Sequence, residues 1–202
     1  MSIIWRTSAL AQRHAEIGGE LEDWNGMGTA WFYDHTPERA KAIAFSNPYL
    51  KTGLTLLVGR SSPILSPDDI TKPGVRIAVK LGTSAHKYAA QQLKDANVFV
   101  LDMESAAVLE VMQSKVDAFI YDSLSVYRHH RRHPKTTRAI LNPFHQETWA
   151  VGLRKQDVAL LQSINEFLQE FKDAGGFEKL GETFLSLSSA VIILTKAIVV
   201  DI

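Results

Sequence analysis

Thr36-Pro37-Glu38-Arg39-Ala40-Lys41, followed after three residues by Phe45-Ser46-Asn47-Pro48-Tyr49, is the stretch that decides how this chain is read. Thr36 suits the N-cap of a helix, Pro37 its first position, and Glu38 lies where the helix dipole favours an anion. Pro48 forbids any continuation of a helix and pushes Asn47 into an extended conformation. The result is a short capped helix joined to an aromatic turn, with Arg39 held on the helix. An arginine so placed offers a planar fork of donors suited to a carboxylate. An ordinary surface arginine on a short helix fits the same residues, and local sequence alone does not separate the two.

The chain has 202 residues, enough for one or two domains with a substantial core. Lysine and arginine number 22, as do aspartate and glutamate. With no net charge there is no global field to draw nucleic acid or an anionic membrane. The absence of cysteine excludes a disulfide framework and a Cys-based zinc site. No apolar run reaches the roughly 18 residues of a membrane span. Met1–Arg13 lacks the cationic start and apolar stretch of a signal peptide, since Arg6 follows Ile3-Ile4-Trp5.

Through the middle, strand-like and helical patterns alternate, which predicts βαβ units and parallel pairing. Strands are expected at 75–79, 98–101 and 118–121, and helices over 83–96, 105–113 and 123–133. Leu161, Ile164, Leu168 and Phe171 recur at three- and four-residue steps, an amphipathic helix stopped by Gly175-Gly176. Extended segments at about 53–59 and 148–154 bracket this block. The chain therefore reads as leaving one domain, building a second, and returning. The expected division is 1–58 with 149–202 for domain one and 59–148 for domain two.

The order of motifs resembles the bacterial extracellular solute-binding proteins of family 3, receptors of amino-acid ABC transporters. The resemblance runs from TPERAKAIAFSNPYL (36–50) through GLTLLVGR (53–60), SPDDI (66–70) and VRIAVKLGTS (75–84). It continues through VDAFIYD (116–122) and WAVGLRK (149–155) to GGFEKL (175–180). It implies an α/β, periplasmic-binding-protein-like type II fold, with two α/β domains joined by two crossing strands. It also implies a receptor that closes on an amino acid or similar polar solute and delivers it to a membrane permease. No cofactor, metal or nucleic-acid partner is implied. Such a protein belongs in the periplasm, although the chain as given shows no export signal and would be cytoplasmic if complete.

Carried over residue by residue, the resemblance assigns Arg39 to the ligand carboxylate and Asp122 to its ammonium. Gly82-Thr83-Ser84 matches the loop whose amides and hydroxyl receive the same carboxylate, and a strand–Gly–Thr–helix turn does present N–H groups at a helix start. Lys80 matches a pocket position facing the ligand side chain. Asp122 also suits the N-cap of the following helix, which is compatible with either role. The family's glycine and threonine before the arginine helix are replaced by Phe32 and Asp34. An ionised aspartate cannot donate, so Asp34 would pair with Arg39 or select a ligand with a cationic end.

The family's opening strand and aromatic loop are not recognisable in residues 1–35, where Ser8–Ile17 fits part of the following helix. The apolar segments 190–194 and 197–200 suit buried strands. They are expected to fill the vacant position in this chain or in a second copy, as a strand-exchanged homodimer. Tyr127–His133 (YRHHRRH) admits a metal pair at His129 and His133, a phosphate contact, or a solvated basic helix end before Pro134. Two further functions share the fold: a sensory or regulatory binding module, and a cyclohexadienyl or arogenate dehydratase with Asp34 or Glu147 as its acid.

Overall fold

The computed structural model describes residues 31–35 and 37–185, with residues 31–34, 38, 182, 184 and 185 described by their backbone only. Thr36, Ser8–Ile17 and the apolar tail after residue 188, with the expectations placed on them, lie outside the described residues. The described chain falls into two compact units, Leu54–Phe144 and a second one formed by the segments up to Gly53 and from His145.

The first unit is an α/β sheet with helices on both faces. Its strands are β3 (Leu50–Gly59, entering at Leu54), β4 (Arg76–Lys80), β5 (Asn97–Leu101) and β6 (Ala118–Asp122), in the order β3-β6-β4-β5. β4 pairs in parallel with both β5 and β6, while β3 runs antiparallel to β6, with Leu54 opposite Asp122. Parallel strands buried on both faces read as continuous apolar runs. Ile77, Ala78 and Val79 are all fully buried, and so are Ala118, Phe119 and Ile120.

Period-2 alternation sends these side chains to two cores. Leu54, Leu56, Val58, Ile77, Val79, Ala118 and Ile120 pack on one face against Ala85, Ala89 and Leu93. Ala85 and Ala89 belong to α2 (Ser84–Gln92), which Leu93 terminates. Leu57, Ala78 and Phe119 pack on the other face. They meet Ala107, Val108 and Val111 of α3 (Glu104–Met112) and Val126 of α4 (Ser123–Arg132). Each fully buried large side chain contributes about 1.5–3 kcal/mol. At the N-terminal end of the parallel strands, Arg76 and Asp117 close a bidentate pair, with Nη2 2.6 Å from Oδ1 and Nε 3.2 Å from Oδ2.

The second unit contains β1 (Trp31–Asp34), α1 (Pro37–Ala42), β2 (Ala44–Phe45) and the later part of β7 (Thr137–Leu153). Its helices are α5 (Val158–Asp173) and α6 (Gly176–Leu185). β1 and β2 pair antiparallel to β7. The Phe45–Tyr49 turn is fixed through Ser46, whose N–H donates to the Val151 carbonyl and whose hydroxyl accepts from the Val151 N–H at 3.0 Å. The Asn47 N–H donates to Asn165 of α5, and Tyr49 stacks on Phe177. α5 stops where expected, since Gly175 takes a φ of +67° that side-chain-bearing residues avoid. β7 is longer than the 148–154 segment expected and begins at Thr137. Asn142-Pro143 lies inside it at exposed positions, where a missing ladder donor is tolerated. Among the described residues, no helix is long and apolar enough to cross a membrane.

Candidate functional site

In the first unit three parallel strands run into three helices, and all three helix N-termini lie at the C-terminal edge of the sheet. β4 leads to α2 on one face, while β5 leads to α3 and β6 to α4 on the other. The chain from β4 moves outward to β5 on one face and returns to β6 on the opposite one. The gap between β4 and β6 is therefore a topological switch point, where open α/β sheets leave a crevice for ligands.

Two of the expected residues bound this crevice with opposite character. After β4, Gly82 adopts a φ of +76° with nothing within 4 Å of where a Cβ would stand. That left-handed residue turns the chain so that Thr83 becomes the N-cap of α2. The Thr83 hydroxyl donates to the Lys80 carbonyl at 2.7 Å and accepts the His86 N–H at 3.3 Å. Its one proton is thus spent inside the turn. Donors for an anion would come from the backbone at the start of α2, where the helix dipole favours negative charge. Ser84 is the first residue of α2, and Lys80, the last of β4, is half-buried.

After β6 the chain enters α4 directly, with Asp122 as N-cap. Its Oδ1 accepts the Ser125 N–H at 2.9 Å. Asp122 is 9% exposed. Burial raises its pKa above the usual carboxylate range; the Glu104 charge adds to this, while the Ser125 bonds and the Arg128 charge oppose it. A carboxylate has a second oxygen beyond the one used in capping, and a cationic group is the partner that would relieve its buried charge.

The expected residues do not all fall in one unit. Lys80, Thr83, Ser84 and Asp122 share the first; Arg39 stands half-buried on α1 in the second. Asp34 pairs through its backbone with Trp149, and its side chain lies outside the described residues. Glu147, the other carboxyl considered for acid chemistry, is buried in β7 of the second unit.

One group of residues was not anticipated. His129 and Arg128 do not behave as a solvated helix end: both reach Glu104, the first residue of α3. Arg128 Nη2 donates to Glu104 Oε1 at 3.1 Å, and His129 Nε2 contacts the same oxygen. Burial alone would raise the Glu104 pKa, but the hydrogen bond from His129 and the charges of His129 and Arg128 outweigh it and hold it below its ordinary value. Arg131 and Arg132 are exposed. Among the described residues, no group of three or more potential ligands could hold a metal ion. The sequence signal for this contact is weak, because Glu104 and His129 are 25 residues apart and only the packing of α3 beside α4 joins them.

Known proteins sharpen this picture. The L-cystine-binding protein TcyJ of Escherichia coli is 26% identical over 147 residues, covering 72% of this chain and 54% of that protein. The ABC transporter glutamine-binding protein GlnH of Bacillus subtilis is 26% identical over 145 residues, covering 72% and 52%. The chain thus spans about half the length of these relatives. Among solved structures, the ancestral amino acid-binding protein AncCDT-1, described as a precursor of cyclohexadienyl dehydratase, matches with a TM-score of 0.67 and 32% identity. The match covers 75% of this chain and 65% of that one. A binding component of an ABC transporter from Wolinella succinogenes, complexed with lysine, matches with a TM-score of 0.67 and 28% identity, covering 74% and 65%. These neighbours share the type II periplasmic-binding-protein fold. Residues 30–186 match the bacterial extracellular solute-binding proteins, family 3, and the chain belongs to that family.

Proposed function

We propose that this protein is a receptor for a free α-amino acid or a similar small zwitterion, which it hands to an ABC importer on the outer side of a membrane. The observation that carries the proposal is the pair of helix starts flanking the β4–β6 switch point. The turn Gly82-Thr83-Ser84 and the N-terminus of α2 favour a carboxylate. The buried Asp122 favours an ammonium. An α-amino acid carries both groups on one carbon, and a ligand bearing only one of them would satisfy only one side. Lys80, at the end of β4, faces the same edge and would select among side chains.

Arg39 enters on its motif alone as a further partner for the carboxylate, and Asp34 as a residue that biases the choice toward cationic ligands. The two compact units are taken as the receptor's two domains, with the chain passing between them through β3 and β7. The related proteins named above are binding proteins, in line with a non-catalytic role. Calorimetry against the common amino acids tests the proposal: binding is expected for at least one of them, lost in Asp122→Ala and weakened in Arg39→Ala. Absence of binding to any amino acid, or unchanged affinity in both variants, would refute it.

A further inference from the structure

We infer that the edge of the first unit's sheet opposite the crevice is a docking surface for an anionic phospholipid bilayer: cations gathered where α4 ends and β7 begins take the headgroup phosphates, and Leu65 enters the apolar boundary. Neither the amino-acid ligand nor the residues assigned to it take part.

The chain's zero net charge conceals a segregation. Residues 123–144, which form α4, its connection to β7 and the first part of β7, contain five lysines and arginines and not one aspartate or glutamate. Glu104 answers Arg128, but Arg132 and Lys135 are exposed, and so is Arg131, whose guanidinium lies 6.0 Å from the centre of the Tyr127 ring. Arg60 joins them, because β3 ends beside the start of β6 and the Arg60 N–H donates to the Thr136 carbonyl at 2.8 Å. The acids of this edge are largely engaged: Asp69 pairs with Lys72, Glu110 with Lys115 and Asp117 with Arg76. Asp68 and Asp95 are exposed and subtract from the patch.

A leucine stands at the same edge. Leu65 is 74% exposed, on the loop that follows β3. Hydrogen bonds hold that loop in place. Arg138 donates to the carbonyls of Arg60, Ser62 and Ile64, the last two at 2.8 and 3.0 Å, and Ser62 Oγ donates to the Asp117 carbonyl at 2.8 Å. Ile64 is buried in the core, and the Leu65 N–H donates to Asp69 Oδ2, so the Leu65 side chain is fixed outward. Carbonyls hold a guanidinium without neutralising its charge, so Arg138 adds to the positive edge. Cations beside an outward leucine suit a bilayer interface, where phosphates meet the charges and the acyl boundary meets the leucine. An acidic polypeptide or a nucleic acid would use the charges and leave Leu65 in water. The crevice lies at the other end of the same strands, so docking leaves the starts of α2 and α4 uncovered.

The test is co-sedimentation of the full chain with vesicles of phosphatidylcholine alone and of phosphatidylcholine mixed with phosphatidylglycerol, at low salt. Binding is expected to the anionic vesicles and not to the neutral ones, and it should vanish at about 0.5 M salt, where screening acts within a few ångströms. Arg132→Gln and Lys135→Gln should each weaken partitioning about fivefold, and about 25-fold together. Leu65→Ser, which keeps every charge, should also weaken binding to the anionic vesicles. All three positions are exposed, so the variants are expected to melt as the parent does. Equal binding to neutral vesicles, no binding to anionic ones, or unchanged partitioning in all three variants would overturn the inference. So would a loss in Arg132→Gln and Lys135→Gln with none in Leu65→Ser, since an acidic polymer such as polyglutamate would then serve as well as a bilayer.

Discussion

The starts of α2 and α4 follow neighbouring parallel strands of one sheet, and each is capped by its own side chain, yet their electrostatics are opposite. At α2 the cap is the neutral Thr83, set up by the left-handed Gly82, and the helix dipole is left facing outward. At α4 the cap is the acidic Asp122, so the same dipole is answered from within the protein by a buried carboxyl group whose pKa burial raises. Capping satisfies the same backbone requirement in both places. On the proposed assignment, the choice of capping residue turns one helix start toward anions and the other toward cations, and binding of a zwitterion would distinguish the pair from two ordinary caps.

The largest effect that can break this contrast is on binding. Asp122→Ala removes the charged side and should cost about 2–5 kcal/mol of ligand affinity, since the ammonium loses a buried partner. Titration calorimetry would measure it, and an unchanged value would make the two helix starts functionally equivalent. Gly82→Ala comes next. A side chain at φ +76° costs roughly 1–2 kcal/mol even with open space around it, and the penalty should appear as lower stability in chemical denaturation. Thr83→Ala should cost about 1 kcal/mol of stability through the lost cap, while Thr83→Ser, which keeps the hydroxyl, should cost little.

The finest test uses pH. Asp122 has a folded-state pKa above its unfolded value, so its contribution to stability is fully present below the unfolded value near 3.9 and is lost as pH rises through the folded pKa. Asn caps helices about as well as Asp and carries no charge. Asp122→Asn should therefore melt above the parent at neutral pH, with the advantage shrinking as pH falls toward 4. A constant difference across that range would mean that Asp122 is not charged against a penalty. Together with the binding loss, the gain would mark Asp122 as a residue kept for ligand at the expense of stability.

Much of this was legible in the chain. The apolar runs at Ile77–Val79 and Ala118–Ile120 identified parallel strands, because burial on both faces removes alternation. The 161–171 periodicity and the Gly175-Gly176 stop located α5. Gly82-Thr83 and Asp122 could be read as helix starts because capping is a local requirement. β7 was legible only from Trp149 onward: its earlier half contains Asn142-Pro143 and charged or polar residues, and its strand character comes from pairing rather than from its own pattern. Glu104 with His129 was illegible for a similar reason. A glutamate starting a helix and a histidine ending one are each ordinary, and only the packing of α3 beside α4 brings them into contact.

Whether Asp122 holds the ligand's ammonium, as proposed, is best decided by a cycle that removes each partner in turn. For the tightest-binding amino acid, calorimetry would compare the ligand with its desamino analogue, in the parent and in Asp122→Asn. Losing the ammonium is expected to weaken binding to the parent sharply and to change binding to Asp122→Asn little. Equal losses in both proteins would contradict it.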